Sequence, residues 1–347
     1  MRYAPPVVCA AVLLAVLAGC GGASRVVAHR VELAGSSLRC DGAPYSVLDY
    51  HWPVRPFNVQ HPIRGGFGDP RTLTTVSFGV DDLGDPGDFS FHNGVDIAAG
   101  VGRSVYPVVS GRATVVGGDE VRVRAGRRVF QYHHIAVAAA VHDGEYVIAG
   151  VTVLGTIRMP FRHVHLTEID RGRVTNPLLH LRPYADHTIP VVHSVTFATP
   201  AGQRADPGNL TGDVTAVAEA DDLPPVPVPG AWDGFPLAPA LVRSALIGGD
   251  GTVVWSRTAA DFRHTEPPRQ DFWRVYAPGT FQNFPVFADH YYYRQPGRYL
   301  FLLTGRRPLD TRRFANGSYT LRVVAEDVCG NRSVVSQEVR IRNNAAA

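Results

Sequence analysis

The chain has 347 residues, more than one hydrophobic core usually serves, so a prior of about 150 residues per domain predicts two domains. All 34 basic residues are arginines, set against 31 acids for a formal charge of +3, and no polybasic tail appears. That balance argues against a nucleic-acid partner, which would call for positive charge gathered on one face. Arg122, Arg124, Arg127 and Arg128 come nearest, but Arg122 and Arg124 fit the solvated outer face of a strand. Glycine (35) and proline (27) are abundant, and Val, Thr, Tyr and Phe fall in short runs, so the class is expected to be mainly β.

At the start of the chain, Arg2 precedes an apolar stretch from Val7 to Ala18, too short for the roughly 20 residues of a spanning helix, and it reads as an export signal. The stretch ends in Leu17-Ala18-Gly19-Cys20, which resembles the bacterial lipobox. The resemblance implies that residues 1–19 are removed and that Cys20 carries a lipid. The protein would then be exported and anchored to the envelope, on the outer face of a bacterial membrane or in a periplasm. Gly21-Gly22-Ala23-Ser24 begins a flexible tether, taken as 20–44. Cys9 leaves with the signal, while Cys40 and Cys329 enter an oxidising compartment, where they either pair or stay as two unconnected buried thiols.

The turn-rich Gly65-Gly66-Phe67-Gly68-Asp69-Pro70 opens a compact region. Strand-like runs follow at 104–109, 113–116, 120–124, 129–136, 151–157 and 163–169, each bounded by turn formers, and describe an antiparallel β domain over 45–184. After a junction at 183–190, runs at 191–197, 212–219, 240–248, 252–256 and 298–304 continue toward Ile341 as a second domain, 190–343. Asn316-Gly317 followed by an alternating strand predicts a β-sandwich there. The proline-rich 221–235 and the aromatic-rich 258–293 fit surface loops poorly and are expected to pack on the sandwich.

Fourteen histidines are many for this length, and five fall at ligand spacings. Phe91-His92-Asn93-Gly94-Val95-Asp96 sets an imidazole and a carboxylate four residues apart across a glycine, so both can face one ion. In His163-Val164-His165 the two-residue step on a strand points both imidazoles to one face. Tyr132-His133-His134-Ile135 offers a further imidazole from a neighbouring strand. His29, His51, His61, His142, His180, His187, His193, His264 and His290 lack such spacing and read as ordinary residues.

In this order of motifs, across roughly 62–181, the sequence resembles the M23 zinc peptidases, the lysostaphin-like enzymes. The resemblance implies that His92, Asp96 and His165 ligate Zn²⁺, that His163 is catalytic, and that His134, two residues after the tyrosine, is its partner. It implies hydrolysis of peptides in bacterial peptidoglycan. One departure stands out: Gly155-Thr156-Ile157-Arg158-Met159-Pro160-Phe161-Arg162 occupies the place of the family's Gly/Ser/Thr-rich loop, which puts the cleaved sequence in doubt. The C-terminal half resembles Ig-like or fibronectin-like sandwiches in a generic way. The rival reading is an M23-like domain that binds wall, or activates a separate hydrolase, without cleaving. A fragment ending near Tyr184 contains every site residue and on this reading folds and binds zinc alone.

Overall fold

A computed structural model describes residues 28–32, 40, 46–72, 89–283 and 297–343. The export signal and Cys20 lie outside the described residues. As the sequence predicts, the fold is mainly antiparallel β.

The first half is built on an eight-stranded sheet. Its spatial order is Tyr146–Val147, Gly111–Val116, Glu120–Ala125, Arg128–His133, His163–Asp170, Val95–Ala98 and Ile63–Gly65, with Arg173–Thr175 folded back on the end of His163–Asp170. A smaller sheet of Ile135–Val137, Gly155–Ile157 and Ser104–Val105 lies beside it. Glu120–Ala125 alternates as a half-buried strand should, with Val121 and Val123 inside and Arg122 and Arg124 exposed. His163–Asp170 does not alternate: every residue from His163 to Glu168 is buried. The strand is central, paired on both edges, so its apolar parity could not be regular in sequence.

One expected strand is broken. The run at 129–136 divides into Arg128–His133 and Ile135–Val137, because His134 takes the left-handed conformation with φ 67°. That conformation is uncommon for a residue with a side chain and concentrates at functional sites.

In the second half, a sheet ordered Ala28–Glu32, Arg332–Ile341, Gly317–Glu326, Leu241–Gly248, Val253–Asp261 accompanies one of Val191–Ala198, Asp213–Asp221 and Leu300–Leu302, with Leu309–Asp310 on Asp213–Asp221. Phe197, Val214 and Ala216 from one sheet and Leu246, Leu321 and Val339 from the other line a common apolar interior. A disulfide joins Cys40 to Cys329.

The aromatic-rich segment leaves the second half and packs on the first. Phe91, directly before His92, has its ring 5.6 Å from Phe262, 5.5 Å from Phe272 and 5.9 Å from Tyr276. Tyr276 Oη donates to Gly68 O at 2.7 Å. Gly68 has φ +88°, and a Cβ there would lie 2.3 Å from the Phe262 ring, so the glycine of the turn is required by this interface. The expectation that residues 258–293 pack on the sandwich is therefore incomplete: Phe262, Phe272 and Tyr276 bury their rings against the first half because Phe91 offers them an apolar partner.

Candidate metal centre

Strand register alone gathers the cluster. His165 lies opposite Asp96 on one side and opposite His133 on the other, and His92 enters four residues before Asp96. Gly94 makes the close approach possible, since a Cβ there would lie 2.3 Å from Leu166 O and 2.9 Å from the His165 ring. His92, Asp96 and His165 are all buried. His92 Nε2 lies 3.1 Å from Asp96 Oδ1 and 2.8 Å from His165 Nδ1, while His165 Nδ1 lies 3.0 Å from Asp96 Oδ1.

The protons show what this triangle lacks. His92 Nδ1 sits 2.8 Å from Gly66 O, and His163 Nδ1 sits 2.7 Å from Phe161 O; a carbonyl only accepts, so both nitrogens carry hydrogen. Burial pushes His92 down to about 3 and also lowers His163, which makes both rings neutral. Their Nε2 atoms then present lone pairs, and both face Asp96 Oδ1, at 3.1 and 3.3 Å. Arg71 Nη2, 3.1 Å from Asp96 Oδ2, is a permanent cation that favours the ionised carboxyl. Two lone pairs and an anionic oxygen converge with at most one proton, on His165 Nδ1, between them. A cation fits this donor set, and three atoms 2.8–3.1 Å apart are within reach of a single ion whose bonds are about 2.0–2.1 Å.

Outer contacts fix the donors. His165 Nε2 lies 2.8 Å from Thr167 Oγ1, and Arg71 Nη2 donates to Asp96 Oδ2 at 3.1 Å. Behind Arg71 stands Asp69, fully buried, whose carboxylate accepts from Gly66 N and Ala238 N at 2.8 Å each and from Asn283 Nδ2 at 3.4 Å. Ala238 and Asn283 belong to the second half, so that half reaches the centre through Asp69 and Arg71. Arg64 Nη1 donates to Phe161 O, and its guanidinium lies 4.1 Å from the Trp232 ring centroid.

Beside the triangle, the His134 ring stacks on Phe161 at 4.0 Å and stands 4.6 Å from the His163 ring. Burial and then His163 push His134 down to about 2. His133, next to it in sequence, has its ring 5.2 Å from that of His165 and its Nδ1 3.6 Å from Glu120 Oε2. The structure thus brings together all five candidate residues, His92, Asp96, His134, His163 and His165. Among the histidines read as ordinary, His51 and His61 bond the Trp52 and Pro56 carbonyls, and His193 pairs with Asp221.

The sequence reading missed Arg71, Asp69, Thr167 and the partners from the second half. Thr167 had a signal, for it lies two residues after His165 on the same strand face. Arg71, Ala238 and Asn283 had none, because nothing in one dimension places them near Asp96.

A second buried group also lay outside that reading. Asp186, Asp222 and Asp327 bring carboxylate oxygens within 4.8 Å of one another. Tyr184 Oη donates to Asp186, Leu223 N to Asp222, and Asn331 to Asp327.

No protein-family profile matches the chain, and no curated protein does. Solved structures do show likeness. Csd3 of Helicobacter pylori is 20% identical at TM-score 0.29, over 40% of this chain and 36% of that one. A zinc-containing peptidase from Vibrio cholerae is 23% identical at TM-score 0.27, over 36% of this chain and 38% of that one. Lysostaphin is 13% identical at TM-score 0.26, over 82% and 91% of the two chains. The chain spans little more than a third of the length of the first two, and M23 metalloproteases recur among the structures to which it is similar.

Proposed function

We propose that the protein is a zinc-dependent endopeptidase acting on the peptides of bacterial peptidoglycan, with His92, Asp96 and His165 as metal ligands and His134 and His163 as catalytic residues. The observation that carries the reading is the buried triangle of His92 Nε2, Asp96 Oδ1 and His165 Nδ1, 2.8–3.1 Å apart, with the His163 and His134 rings alongside. When bound, zinc supplies Lewis acidity toward a carbonyl and a water acidified to about pKa 7. The chain's own residues do the rest. Asp96 stays ionised and contributes one negative charge, so the loaded site keeps a net positive charge. Gly66 O holds His92 in the tautomer that offers Nε2, and Phe161 O does the same for His163. His163 keeps an Nε2 lone pair that can accept a proton from water and pass it to the leaving amine, and the neutral His134 ring, 4.6 Å away, can donate to the developing oxyanion.

The same proposal includes a lipid at Cys20 and export to the envelope, a division of the chain at 45–184 and 190–343, and an Ig-like C-terminal part that holds the catalytic half near the wall. Among the described residues no helix is long and apolar enough to cross a membrane. Elemental analysis of purified protein and mass analysis of fragments from digested peptidoglycan test the reading. Stoichiometric zinc with released peptides is the expected result. Zinc without fragments from any wall type puts a non-cleaving wall-binding or activating role in its place.

A further inference from the structure

Away from the metal centre, four arginines of the second half surround one cavity of about 590 Å³, together with Thr304 and Gly305. Arg257 comes from Val253–Asp261, Arg274 from the short helix Phe272–Val275, and Arg306 and Arg307 from the turn after Leu300–Leu302. The base of the cavity is rigid. Arg257 Nη1 donates to Leu302 O and Leu303 O at 2.7 and 3.3 Å, and its Nη2 to Arg274 O at 2.9 Å. Gly305, with φ +72°, lies so close over that guanidinium that a Cβ would stand 2.9 Å from Nε. The turn carrying Arg306 and Arg307 is therefore set directly against a fixed cation.

Among the described residues, three of these four charges have no carboxylate partner. Arg274 pairs with Asp271 at 3.0 Å, but Arg257 spends its donors on carbonyls, which accept hydrogen bonds without cancelling charge. Arg306 and Arg307 are exposed, and among the described residues neither has a carboxylate partner. Among the described residues, no carboxylate lines the cavity. Four guanidinium groups on one concavity repel one another, and the arrangement leaves a concentrated positive field that an anion relieves.

We propose that this cavity binds a multiply charged phosphate anion, a polyphosphate or a phosphate monoester. The donor chemistry favours phosphate: planar guanidinium forks match its tetrahedral oxygens in bidentate fashion, and several arginines can share one multiply charged group. The concave shape favours a ligand that enters over one that lies flat, which separates it from a bilayer surface. The site would let the second half hold an anionic component of the surroundings while the first half acts elsewhere.

The probe is sodium tripolyphosphate titrated calorimetrically into the full-length protein at about 0.15 M salt, with glycerol phosphate as a monoester and citrate as a carboxylate of similar charge. Saturable binding of tripolyphosphate, weaker binding of citrate, and at least a tenfold loss in an R306A/R307A variant of unchanged melting temperature are expected. An R322A/R340A variant, which removes the same charge from exposed strand positions, should bind as the unaltered protein does. Absence of tripolyphosphate binding, or equal loss in both variants, overturns the proposal. So does binding only to vesicles containing anionic phospholipid, since that would make the patch a membrane contact.

Discussion

His165 and His163 sit two residues apart on one strand face, yet removing each should have a different effect. His165→Ala deletes a metal donor and should lose zinc and peptide release together. His163→Ala or His134→Ala leaves the triangle intact, so zinc should remain stoichiometric while turnover falls by about 10² to 10⁴ fold, the usual contribution of a positioned acid or base. Loss of zinc in the latter two variants would make them structural. Arg71→Ala tests the layer behind: Asp96 loses its partner on Oδ2, and zinc affinity in a competition titration should drop by about 10 to 100 fold. An unchanged affinity would show that the arginine does not support the zinc donors. The donors were legible because their spacing encodes one strand face and one glycine-bent turn. Their supports were not, since Arg71 acquires its role only when Pro70–Arg71 pairs with Ser90–Phe91 and the Ile63–Gly65 strand brings the turn beside Asp96.

Among the elements, the turn at 327–331 and the junction at 183–190 meet at the three buried carboxyls, where Asn331 Nδ2 also donates to Asp186 O at 2.8 Å. Burial raises all three, and with its neighbours takes Asp327 up to about 7. The folded state thus holds protons that the unfolded chain releases near pH 4. The stabilisation is complete below that value and is lost as pH rises through about 7, at about 1.4 kcal/mol per pH unit for each proton. Asp222→Asn can keep the bond from Leu223 N while removing one charge. Its stability relative to the unaltered protein, from denaturant curves, should increase between pH 4 and 7.5. A difference that stays flat would mean that the three carboxyls do not share this strain. The short strands themselves were readable from turn formers and alternation, to within a few residues. The break at His134 was not, because the left-handed residue is stabilised by contacts with Phe161 and His163 that arise only after folding.

For the whole molecule, the interface between the halves decides how separable they are. A chain ending at Tyr184 keeps His92, Asp96 and His165, the proposed metal donors, but strips Phe262, Phe272 and Tyr276 from Phe91 and leaves Asp69 without Ala238 and Asn283. Buried aromatic pairs are worth about 0.5–1.5 kcal/mol each beyond their area, so that fragment is expected to be less soluble and to bind zinc more weakly than the full chain. Equal zinc affinity in a soluble fragment would show that the halves are energetically independent despite their contact. The disulfide has a mechanical consequence. Cys40 and Cys329 close 289 residues of sequence separation into a covalent ring, and Ala28–Glu32 just ahead of it is laid along Arg332–Ile341. With a lipid at Cys20, the eight residues to Ala28 reach at most about 28 Å. A pull between that anchor and the C-terminal strand would load the sulfur bridge and the strands on either side of Arg332–Ile341. His92, Asp96 and His165 lie in the chain looped between the cysteines, so the covalent path through the sulfur bridge bypasses them and the first half would keep its geometry while the tether is under tension.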